Sequence, residues 1–175
     1  MADIVDLIYA EHDYFRRYFF LLDQAHTVAE KTAIWEPLAT RLDAHAQAEE
    51  EIVYPVLLRS GGDGDGDAGA AGDPSDETAD AVGDHNKIRD AVREARRHPV
   101  GSAPWQEAVD RARAENGQHM DEEEREALPD FLKTVGADQR HALAMRWLLF
   151  YYRHPGGHGA DQSDKDVKEY LKENR

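Results

Sequence analysis

Two stretches decide the fold: His45-Ala46-Gln47-Ala48-Glu49-Glu50-Glu51-Ile52-Val53-Tyr54-Pro55 and His119-Met120-Asp121-Glu122-Glu123-Glu124-Arg125-Glu126-Ala127-Leu128-Pro129. Both read His-x3-Glu-x5-Pro. A lone histidine precedes each at nearly the same distance: His12 lies 33 positions before His45, and His85 lies 34 before His119. The chain therefore repeats itself at an offset of 73 to 74 residues, which chance does not supply in a sequence of this composition. Four residues make about one helical turn, so His45 stacks with Glu49, and His119 with Glu123, on one helix face.

That face is apolar wherever it can be traced outward. Ile4, Ile8, His12, Phe15, Phe19 and Leu22 recur at three- and four-residue steps and predict a helix over about 3–29. Leu38, Leu42, His45, Glu49, Ile52 and Val56 predict a second over about 34–59. Val82, His85, Ile88 or Arg89, Val92 and Ala95 predict a third over about 76–97, broken by Pro99, Gly101 and Pro104. Ser102 is placed to cap a fourth, over about 104–133, along Trp105, Val109, Ala112, Asn116, His119, Glu123 and Phe131. Pro129 is expected to end or kink it. No stretch alternates as a strand does, so the chain is all-α. Two helical hairpins predict an antiparallel up-down four-helix bundle over residues 1–135. A flexible acidic Gly/Asp loop is expected at 60–76. Residues 136–175 then add an aromatic helix over about 138–153, a Gly/His tail, and a short last helix capped by Ser163, all packed on the bundle. The Asp63-x-Asp65-x-Asp67 spacing resembles a calcium loop. However, Ala68 stands where the turn glycine belongs and Pro74 where the bidentate glutamate belongs, so calcium is set aside.

Composition narrows the chemistry. The 175 residues carry 21 Lys+Arg against 36 Asp+Glu, a net charge of −15, which repels nucleic acid and anionic membranes. The acidic N-terminus is unlike a signal peptide, and the longest apolar run, Trp147 to Tyr152, is far too short for a membrane span, so a cytoplasmic protein is expected. There are no cysteines, which excludes disulfides, thiolate metal sites and thiol chemistry. Any metal must be held by nitrogen and oxygen, and nine histidines are available.

The bundle centre receives four imidazoles and two carboxylates: His12, His45, Glu49, His85, His119 and Glu123. An unpaired carboxylate in an apolar interior is several kcal/mol unfavourable, so each glutamate must be protonated or face a cation. No lysine lies on the stripes, and the nearby arginines are Arg16 and Arg89, each four residues after a stripe histidine. Two metal cations would satisfy carboxylates and imidazoles together. Mixed nitrogen and oxygen donors without sulfur suit iron or manganese. The triplets Glu49-Glu50-Glu51 and Glu122-Glu123-Glu124 leave open which carboxylate binds; the apolar stripe favours Glu49 and Glu123, and their neighbours are expected on a solvated face, the alternative being that one bridges the metals.

In the segments Glu11-His12-Asp13, His45 to Pro55, Asp84-His85-Asn86-Lys87-Ile88 and His119 to Glu124, the sequence resembles the hemerythrin-like, or HHE cation-binding, family. The resemblance covers about residues 1–133. It implies a four-helix bundle around a non-haem di-iron centre with bridging carboxylates and an oxo or hydroxo bridge, manganese being the alternative metal. It also implies that His12, His45, Glu49, His85, His119 and Glu123 are the ligands. Two departures stand out. Oxygen-carrying hemerythrins have a second histidine four residues after the third-helix ligand, where this chain has Arg89. They also use an aspartate five residues after the fourth-helix histidine, where this chain has Glu124, while Glu123 follows the HHE spacing. His154 is either a replacement ligand or a loop residue. A ferritin-like site needs Glu-x-x-His, and no histidine here has a glutamate three residues before it.

The function expected first is binding of, or reaction with, dioxygen, peroxide or nitric oxide. Tyr54 and Trp105 are either partners of that centre or ordinary core aromatics. The second expectation is a di-iron oxygenase or oxidase on an organic substrate, with the 147–152 aromatic segment as a lid hinged at Gly156 and Gly157; against it stands a segment that caps the bundle or forms a dimer interface. The third is an iron- or oxygen-sensing switch.

Overall fold

The computed structural model describes residues 1–60 and 73–174, so most of the Gly/Asp loop, including the calcium-like run, lies outside the described residues. Among those residues there is no strand. Helix α1 spans Ile4–Asp23, α2 Val28–Ile52, α3 Tyr54–Ser60, α4 Pro74–Arg96 and α5 Ala103–Glu122. A π-helical turn, Glu123–Ala127, joins α5 to α6, Leu128–Thr134; α7, Ala137–Arg153, and α8, Val167–Asn174, follow.

The helix starts are set by side-chain caps. Asp3 accepts from the Val5 amide at 3.1 Å, and Asp73 from the Ser75 amide at 2.8 Å with Pro74 behind it. Helix α2 begins at residue 28 rather than 34, because Thr27 and Glu30 form a reciprocal capping box. Ser102 caps α5 as expected. Ser163 does not cap α8: its hydroxyl bonds Asp161, and Asp166 holds the Glu169 amide instead.

Both repeats bend at the same place. Proline lacks an amide hydrogen, and its ring crowds the carbonyl four residues back. Before Pro55, α2 stops at Ile52 and the chain resumes as α3. The Glu51 carbonyl there takes a bond from Arg146, and the Glu50 carbonyl one from Tyr170. Before Pro129, the chain widens into the π turn, whose Leu128 amide reaches back five residues to the Glu123 carbonyl.

The core falls into two apolar clusters. One gathers Ile4, Ile8, Ala48, Ile52, Val82 and Leu128. The other gathers Phe15, Phe19, Trp35, Leu42, Val92 and Trp105. Along α1 and α4 the chain runs from the first cluster to the second, and along α2 and α5 it runs back, which is the up-down order. The six predicted site residues occupy the layer between. Trp147, Phe150 and Tyr170 from α7 and α8 close the first cluster.

Gly157, one of the two expected hinge glycines, is tightly packed. It is buried with φ of +88°, and a Cβ there would come within 2.6 Å of the Thr40 carbonyl oxygen. This glycine seats the tail on α2.

Candidate metal centre

All six residues are buried and converge. His12, His45, Glu49 and Glu123 offer one group of donor atoms lying within 4.8 Å of one another, and Glu49, His85 and His119 offer another. Glu49 belongs to both. His45 Nε2 stands 3.2 Å from Glu49 Oε1, and His85 Nε2 3.2 Å from Glu49 Oε2. His12 Nε2 and His119 Nε2 each lie 3.5 Å from Glu123 Oε2. Yet His12 Nε2, both nitrogens of His45, Glu49 Oε1 and Glu123 Oε2 make no hydrogen bond although they are shut off from solvent. Buried polar atoms are nearly always satisfied, so the orphaned atoms on His12, His45, Glu49 and Glu123, one from each residue converging on one space, point to a shared partner such as a metal ion. Nitrogen and carboxylate oxygen at these positions suit a metal ion, and either group could hold one.

The charged groups of the layer perturb one another. Burial raises the Glu49 carboxyl, but His45, His119 and His85 outweigh it and hold it well below its usual range. Glu123 is lowered too, burial and Glu49 opposing His119 and His12. Burial alone would lower His119; Glu123 and Glu49 push it up to about 9. His12 is raised by Glu123 and Glu49 against its burial. A cation bound by His119 near neutral pH would displace its proton.

Two of the four histidines, His12 and His85, are braced at Nδ1 across the bundle. His12 Nδ1 lies 2.8 Å from Glu124 Oε1, which also accepts from Arg16 at 2.7 Å. His85 Nδ1 lies 3.0 Å from Glu50 Oε1, and Glu50 Oε2 accepts from Arg89 at 2.9 Å. The glutamate after each predicted ligand thus points away from the shared space and fixes a histidine of the other hairpin. Arg89 fills the place of the extra histidine of the oxygen carriers with the partner of that brace.

Tyr54 stands at the centre itself. Its hydroxyl donates to Glu123 Oε1 at 2.9 Å and lies 3.3 Å from Glu49 Oε2 and 3.4 Å from His85 Nε2. Burial, then Glu123 and Glu49, raise the phenol well above its usual range, so it is a proton donor here. Trp105 packs edge-on to Trp35 in the second cluster, away from these residues. The His154 ring lies over Phe150 and its Nδ1 bonds the Phe150 carbonyl, so it does not join the donors. Trp147, which the residue pattern placed only in an aromatic segment, sets its ring edge-on to His45 with centroids 5.6 Å apart. No local signal could have announced that contact, since more than a hundred residues separate the two.

A family model described as the hemerythrin HHE cation binding domain matches residues 3–131. No curated protein and no solved structure gives a significant match.

Proposed function

Because the chain belongs to the hemerythrin HHE cation-binding domain family, we propose that His12, His45, Glu49, His85, His119 and Glu123 hold two iron ions. The centre then binds or reacts with dioxygen, peroxide or nitric oxide. The observation that carries this reading is the set of orphaned buried atoms on His12, His45, Glu49 and Glu123. A pair of iron ions supplies two electrons to one small oxygen species. The chain's own residues do the rest. The brace from Glu124 holds His12 with Nε2 inward, and the brace from Glu50 does the same for His85. Tyr54 holds a proton at its hydroxyl, donated to Glu123 beside Glu49 and His85, within the space the donors enclose. The two apolar clusters cover the layer on its two sides.

The test is metal analysis of protein produced with ample iron and manganese, with optical spectra before and after air exposure. Two irons per chain and a spectrum that responds to air support the proposal. Protein that is normally folded and metal-free overturns it. Among the organic-substrate features, the tail glycine is packed and Trp147 and Phe150 are buried, so the small-molecule reading stands first.

A further inference from the structure

The layer of histidines and glutamates is not sealed. A cavity of about 240 Å³ reaches it between α3, the start of α4 and the π turn, and Tyr54, His119 and Glu123 form part of its wall. The remaining polar wall is Asp73, Asp76, Glu77, Asp80, Glu122 and Glu126, and among the described residues no Lys or Arg lines it. Helix geometry builds this lining. Positions 73, 76, 77 and 80 fall on one face of the start of α4, and the π turn carries Glu126 to the opposite side. At the inner end Glu123 is 4% exposed, and its Oε2 has no hydrogen-bond partner. Crowding of like charge is felt in the wall: burial, then Asp130, Glu126 and Asp73, raises the Glu77 carboxyl. Carboxylates crowded along one wall repel one another, and a passing cation relieves that repulsion.

We propose that this cavity is the entry path by which divalent cations, ferrous or manganous ions, reach the centre. The inference rests on the reading of the six residues as a metal site. The acidic mouth concentrates cations over the opening. Glu123 and His119, which belong to both the cavity wall and the donor groups, receive them. The same field turns small anions away while leaving neutral dioxygen and nitric oxide unaffected. Steering of this kind raises association rates by about 10 to 1,000-fold and is lost as salt screens it.

The experiment is anaerobic ferrous-ion uptake by metal-free full-length protein, timed by rapid removal of free ion and metal analysis. The triple variant Glu77→Gln, Asp80→Asn, Glu126→Gln changes none of the predicted ligands. The expected result is uptake at least about tenfold slower at low salt, with the difference vanishing near 1 M salt and the final two ions per chain unchanged. The reversed pair Asp80→Lys, Glu126→Lys should be slower still, with unchanged circular dichroism. Equal rates in variant and parent overturn the entry path. A lower final stoichiometry also overturns it, by making the wall residues ligands. A parent protein that takes up no ion at all sinks the underlying metal reading instead.

Discussion

The two braces are built from the same parts and differ in where they sit. His85, Glu50 and Arg89 are 1%, 3% and 1% exposed, whereas in the other half the Arg16 and Glu124 side chains are 41% and 22% exposed. In both, the arginine lies one turn after the histidine and the glutamate comes from the opposite hairpin. The buried brace works in a low-dielectric setting, where losing one member strands a charge; the outer one is bathed in solvent that can replace it. Sequence symmetry therefore does not carry over into energetic symmetry.

Glu49 is the element common to both donor groups, and its removal should have the largest effect. Glu49→Ala is expected to abolish binding of both ions, whereas His45→Ala or Glu123→Ala should leave fewer than two per chain. Metal analysis after purification reads the difference. Retention of two ions by Glu49→Ala would break the shared-carboxylate arrangement.

Thermal unfolding separates the braces. Arg89→Ala leaves Glu50 buried without its cation and should destabilise the metal-free fold by about 3–5 kcal/mol, roughly 10 °C in Tm. Arg16→Ala should stay within about 1 kcal/mol. Equal losses would mean that burial does not distinguish them.

The pH response of the metal-free protein comes next. His119 is raised from 6.5 to about 9, so its contribution to stability is complete below pH 6.5 and is lost as pH rises through 9. Glu49 is lowered, so its contribution is present above its usual 4.5 and is lost in acid. The Tm of metal-free protein should therefore fall by more than about 5 °C between pH 6.5 and 9. Iron-loaded protein, with its imidazoles already deprotonated, should lack that fall. The smallest effects belong to histidines outside the repeat. His26 is exposed and His141 bonds the Ala2 carbonyl, so His26→Ala and His141→Ala should leave bound metal unchanged.

That these six side chains come together is legible in the sequence, because helical periodicity fixes which side chains share a face and the repeat pairs the histidines of the two hairpins. The capping box at Thr27 and Glu30 was equally present as a pattern, although the apolar stripe alone puts the start of α2 six residues late. Periodicity also places Glu50 and Glu124 one step off the stripe. It is silent on what they meet there, because their partners sit on another hairpin.

From its amino acids alone this chain determines an all-α bundle, an inward layer of four imidazoles and two carboxylates, and a sulfur-free donor set. All three follow from local rules: spacing along a helix and the chemistry of the residue types present. Tertiary packing decided the rest. It crossed the two braces, brought the Tyr54 hydroxyl onto Glu123, laid Trp147 against His45 and opened an acidic cavity beside the π turn. Those outcomes depend on distances between segments remote in sequence, which the angle and register of packed helices set and no single helix encodes.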